Sequence, residues 1–118
     1  MDQYALARKV QELAAGDAGL AREFVRILID TNRATLETLR EALNAGSWKV
    51  AASAAHRING SARLIGFEEL VERTVQLESA ATARHAPRAA ALFAAVEQDV
   101  GNLETWLENL PGAGDANA

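Results

Sequence analysis

An all-α fold is predicted, an antiparallel up-down bundle of four helices with an additional short N-terminal capping helix. Three observations lead there. Alanine, the best helix former, supplies 26 of the 118 residues, while aromatic residues make up only 5%. Glycine-centred breaks at Gly16-Asp17, Gly46-Ser47 and Gly66-Phe67 divide the chain into segments of helical length. Within those segments the apolar residues recur at spacings of three and four, the helical period, and not in alternation. A hydrophobic fraction of 49% in a chain of this length suits one core. One domain is expected over residues 1–110, followed by a disordered tail at 111–118, where Pro, Gly, Asp and Asn replace the apolar pattern.

The first segment, near 3–14, carries Tyr4, Leu6, Val10 and Leu13. Gly16 ends it and Asp17 is a good N-cap for the next. The second, near 18–45, lines one face with Val25, Ile29, Leu36, Leu39 and Leu43. Leu20, Phe24, Ile27, Leu28 and Thr31 widen the arc over its first half, which implies burial on two sides, with the first helix covering part of the excess. Gly46-Ser47 repeats the stop-and-cap grammar before the third segment, near 48–65. The fourth, near 67–82, repeats Phe67, Leu70, Val71, Thr74 and Leu77. Pro87 suits the first turn of the fifth, near 87–109, where Leu92, Phe93, Val96, Val100, Leu103, Leu107 and Leu110 repeat. Short connections make sequential helices antiparallel neighbours.

Composition excludes several kinds of function. With no cysteine there is no disulfide framework, thiolate metal site or thiol nucleophile. A net charge of −4 argues against nucleic acid as a partner. No apolar run approaches a membrane span, and Met1-Asp2-Gln3 does not open a secretory signal, so direct membrane contact is not expected and a cytoplasmic location is. No GxxxxGK[ST] phosphate loop occurs.

The third segment carries the chemistry. On a helical wheel, Ala51, Ala54, Ala55, Ile58, Ala62 and Ile65 fall within roughly 100° of one another and form the buried stripe. His56 lies about 140° from the stripe's centre and is expected to face water, with Lys49, Ala52, Asn59, Gly60 and Arg63 around it. Ala52 is one turn before His56 and Gly60 one turn after. A glycine inside a helix costs about 1 kcal/mol relative to alanine. At this position it clears space beside the ring. Neutral imidazole is a nucleophile that ionises near neutral pH. Flanked by small residues, it is open to a phosphoryl donor, and Lys49 and Arg63 are placed to offset phosphoryl charge.

His56-Arg57-Ile58-Asn59-Gly60-Ser61-Ala62, continuing to Leu64-Ile65-Gly66, resembles the signature of histidine phosphotransfer (HPt) domains. The resemblance covers about residues 4–110. It includes the Gly-Asp start of the second segment, the polar break before the histidine segment and Leu77-Glu78 in the fourth. Asn59 stands where the family usually has lysine, so the family's helper cation is not at its usual place, and Lys49, Arg57 or Arg63 would fill that role in part. The resemblance implies a phosphocarrier of two-component phosphorelays. His56 would take a phosphoryl group, on Nε2, from a receiver-domain aspartate and pass it to another receiver. It implies no cofactor of the chain's own, since Mg²⁺ belongs to the receiver, and no enzyme activity alone. If the segment comes from a hybrid sensor kinase, the parent chain would be a histidine kinase. Partners would be response-regulator receiver domains, bound transiently by a monomeric domain. Ala52, Arg57, Phe24, Ile27 and Leu28 are expected to form the docking surface. The competing reading is a non-catalytic helical adaptor or dimerisation bundle in which His56 takes no phosphate.

Other residues read as structural. Ser61 falls toward the packed side, and Trp48 and Trp106 are expected as core or half-buried anchors. Glu68, Glu69, Glu72 and Glu78 form a solvated face. His85 lies in a loop before Pro87, and no metal site with His56 is expected, because no ligand spacing accompanies either ring.

Overall fold

In the computed structural model, which describes residues 1–111, five helices follow one another: α1 (Gln3–Leu13), α2 (Ala18–Ala45), α3 (Trp48–Ile65), α4 (Glu68–Thr82) and α5 (Ala86–Glu108). Of the expected tail at 111–118, all but Pro111 lies outside the described residues. α2 packs on α3, α3 on α4, α4 on α5, and α5 back on α2, which closes a four-helix ring. α3 and α5 are therefore diagonal. α1 adds contacts to α2, α3 and α5 and serves as the cap. The bundle measures 50 × 21 × 20 Å, its length set by α2, whose 28 residues rise about 42 Å.

Local chemistry sets the helix ends. Asp2 and Asp17 accept from the backbone N–H of Tyr4 at 2.8 Å and of Leu20 at 3.0 Å, satisfying donors that helix starts leave unpaired. Gly46 and Gly66 close α2 and α3 in the left-handed region, at φ 69° and 76°, where a Cβ would be strained. The reversed chain then donates back: Ser47 N–H to Ala42 O at 2.8 Å, and Phe67 N–H to Ala62 O at 2.9 Å. One expectation needs correcting. Ser47 holds the N-cap position of α3, but its side chain makes no capping hydrogen bond. Pro87 lies in the first turn of α5 as expected, and His85 caps that helix by accepting from Arg88 N–H at 3.2 Å.

The core runs the length of the ring through Leu39, Ile58, Ile65, Leu70, Leu77, Val96 and Leu103, with Leu6 closing the α1 end. α3 contributes mainly alanine, which lets its neighbours approach closely. Trp48 and Trp106 are half-buried against this core, and the Trp106 ring meets Phe67 at 5.4 Å. Ion pairs tie α5 to its neighbours: Arg33 to Glu104 and Arg40 to Glu97 from α2, and Arg73 to Asp99 from α4 at 2.5 and 2.6 Å. Asp99 is buried, so the pair to Arg73 satisfies a carboxylate that water no longer reaches. Among the described residues no helix is long and apolar enough to cross a membrane.

Candidate functional site

α3 buries the stripe that its sequence implies. Ala51, Ala54, Ala55, Ile58, Ala62 and Ile65 are each at most 1% exposed. The His56 side chain, on the far side of the helix, is 71% exposed. Ala52 is half-buried one turn before it, and Gly60 is exposed one turn after. A Cβ built on Gly60 meets nothing within 4 Å, so helix packing does not require a glycine there. The open space lies beside the imidazole.

Glu78, on α4, is the partner that wheel reasoning missed. Its Oε2 lies 3.4 Å from His56 Nδ1. A carboxylate only accepts, so the nitrogen that faces it is the one that carries the hydrogen, and Nε2 keeps its lone pair. A signal was available in the sequence. Counting outward from the Gly66-Phe67 turn through two antiparallel helices reaches His56 and Glu78 at nearly the same height.

Asn59 corrects the expected outer surface. It is 5% exposed, turned between α3 and α4 rather than toward water. Its Nδ2 donates to Val71 O at 3.2 Å and to Thr74 Oγ1 at 3.0 Å, and its Oδ1 accepts from Arg63 Nε at 2.8 Å. On the wheel it sits about 90° from the stripe's centre, a margin position. Packing by α4 widens the buried arc on that side and takes the margin in.

The two expected cations differ in reach. Helical side chains lean toward the helix N-terminus. Lys49 precedes His56 by two turns, so its chain leads away from the ring, and it shares a shallow rim with Trp48 and Arg84. Arg63 follows His56 by two turns and leads toward it along the Asn59 side of the helix, where its Nε is held. Arg57 is exposed on the other flank. Ser61 is turned inward as expected, its buried hydroxyl without a hydrogen-bond partner among the described residues.

The α2 surface is also partly corrected. Leu28 is buried at 6% exposure and is not available to a partner, whereas Ile27 is 56% and Leu20 54% exposed, with Phe24 half-buried. Ala7 and Val10 of α1, Ala21 and Val25 of α2, and Leu107 and Leu110 line one cavity between them, whereas Leu20 and Ile27 stand exposed outside it. Through the Gly46-Ser47 turn, His56 stands level with the later half of α2. Ile27 is roughly 15 Å and Phe24 roughly 20 Å further along the bundle axis.

The family model described as the Hpt domain matches residues 23–110, most of the chain and all of α3 to α5. The chain belongs to the Hpt family. Histidine phosphotransfer in a phosphorelay is the function of such a domain, and receiver domains of response regulators are what Hpt domains interact with. Similar curated proteins are the Virulence sensor protein BvgS of Bordetella bronchiseptica, 29% identical over 117 residues, and those of Bordetella parapertussis and Bordetella pertussis, each 28% identical. The alignments cover 92%, 92% and 89% of this chain. The chain spans about 9% of the length of these relatives. No solved structure gives a significant match.

Proposed function

We propose that His56 is the phosphoryl acceptor of this Hpt domain and that Nε2 is the atom that carries the group. The observation that supports this most directly is the pairing of an exposed imidazole with Glu78 at Nδ1 and open space over Gly60. The Nε2 lone pair attacks the phosphorus of a receiver aspartyl phosphate. The N–P bond forms as the O–P bond breaks, and the aspartate carboxylate leaves with the electron pair. Positive charge builds on the ring in that step, and Glu78, facing the Nδ1–H, stabilises it. Delivery to a second receiver reverses the sequence. Arg63 offsets charge on the phosphoryl oxygens. Residues 1–110 form the working domain.

The receiver, with its own Mg²⁺, supplies the remaining catalytic groups. The chain thus acts as an intermediate without a nucleotide site of its own. Docking uses the α3 face around Ala52 and Arg57, with Phe24 and Ile27 at its edge. A footprint of ordinary size, about 800 Å² per partner, spans both. Apolar contact supplies modest affinity and the cations orient an acidic receiver site, so the complex exchanges fast and the carrier is a monomer between encounters. The relatives are named as sensor proteins and are far longer than this chain, which supports a module that serves a sensor; this reading places the domain in the cytoplasm. Incubation with a phosphorylated receiver tests the assignment. His56→Gln is expected to fold and take no acid-labile, base-stable label, while His85→Gln labels as the unaltered chain does. Equal labelling of His56→Gln overturns it.

A further inference from the structure

We propose that Asn59 and Thr74 are positioning residues that hold Arg63 as the cation for a phosphoryl group on His56, an inference that rests on His56 being the acceptor. The buried amide has only one workable orientation. Thr74 is fully buried, and its hydroxyl donates to backbone carbonyls of its own helix, Leu70 O at 2.8 Å and Val71 O at 2.9 Å. Its oxygen is therefore left to accept, and Val71 O accepts as well. Both face the same end of Asn59, which must be the NH₂ end. Turning the amide over would set an oxygen against two acceptors in a dry interface, a costly arrangement. Oδ1 consequently faces out toward α3's surface, and there it meets Arg63 Nε at 2.8 Å.

That bond decides where the guanidinium goes. Nε is the inner nitrogen of the arginine fork, and tethering it to a residue one turn back holds the fork on the His56 side of Arg63 along the helix. Gly60, with no side chain, leaves the path between them open. Among the described residues no carboxylate forms an ion pair with Arg63, so the terminal groups keep their hydrogen-bonding capacity for another oxyanion. A planar, always-charged fork fixed in direction suits a phosphoryl group better than a free lysine would. The line Thr74, Asn59, Arg63 thus runs from the fully buried α4 interface to the open face beside the imidazole.

Phosphoramidate tests this without any docking partner: its P–N bond breaks, ammonia leaves, and the His56 Nε2–P bond forms. Labelling rates are compared for the unaltered chain, Arg63→Gln, Asn59→Leu and the double variant, with thermal midpoints recorded for each. Arg63→Gln is expected to label about tenfold more slowly, the scale of one hydrogen bond to a charged group. Asn59→Leu is expected to slow labelling about threefold or more, since the fork loses its direction and not its charge. The double variant is expected to be no slower than Arg63→Gln alone, because Asn59 acts through Arg63. Arg63→Lys, a surface change that keeps the charge without the tethered Nε–H, is expected to fold as the unaltered chain does and to match Asn59→Leu. Multiplying effects in the double variant, or unaltered rates in Arg63→Gln or Arg63→Lys, overturn the positioning role and leave His56 as acceptor. No label on the unaltered chain overturns both.

Discussion

Replacing Gly60 with alanine adds one methyl group that meets no atom within 4 Å. No repacking then offsets the gain in helix propensity, about 1 kcal/mol for alanine over glycine in a helix interior. For a chain of 118 residues, an unfolding entropy of about 0.25 kcal/mol/K turns that gain into a rise of about 4 °C in the melting midpoint. Gly60→Gln keeps most of the rise, because glutamine ranks near alanine as a helix former. It also sets a flexible polar chain one turn from His56, across the approach to Nε2. Transfer from a phosphorylated receiver is then expected to slow by about tenfold or more, which is ~1.4 kcal/mol on the barrier. Gly101 provides the control. It too is helical, exposed and free of neighbours within 4 Å, but it lies on α5, diagonal to α3. Gly101→Ala is expected to give a similar thermal gain with unaltered transfer. Thermal melts and single-turnover transfer on the same three variants separate the two effects. Transfer by Gly60→Gln at the unaltered rate would refute the clearance argument, and a lowered midpoint in Gly60→Ala would refute the open space.

Three further outcomes follow from the geometry. Glu78→Gln is expected to slow phosphorylation of His56 about threefold to tenfold, since the contact is long and part-exposed; an unchanged single-turnover rate removes Glu78 from the mechanism. Asp99→Asn is expected to lower the melting midpoint by more than Glu104→Gln does, because Asp99 is buried and Glu104 is not; thermal melts of the two variants decide, and equal losses contradict the ranking. Amide-shift mapping with a receiver is expected to perturb 48–66 together with the Leu20–Ile27 edge; changes confined to α3 remove α2 from the docking surface.

Much of this molecule was legible because local rules act within single helices. Asp17, Gly46 and Gly66 announce helix boundaries through caps and left-handed turns that depend on neighbours in sequence. The outward place of His56 follows from one helix's periodicity. What stayed hidden depends on contacts between helices. Asn59 sits at a wheel margin where only the neighbouring helix decides whether a side chain meets water, and α4 covers it. Leu28 reads as partner-facing for the same reason, since an arc alone does not say which edge the bundle takes in. Glu78 belongs to another helix than His56. Its role depends on the hairpin register, although that register was countable from the Gly66-Phe67 turn. Thr74 reads as an ordinary member of an apolar repeat until its hydroxyl is seen to fix the Asn59 amide.

Phosphorus–nitrogen coupling on the phosphorylated, ¹⁵N-histidine-labelled chain tests the central claim most directly. The chain has two histidines, His56 and His85, so four ring nitrogens compete. Phosphorus is expected on Nε2 of His56, with a proton retained on Nδ1 opposite Glu78. Phosphorus on Nδ1 of His56, on either nitrogen of His85, or on no ring nitrogen at all would contradict it.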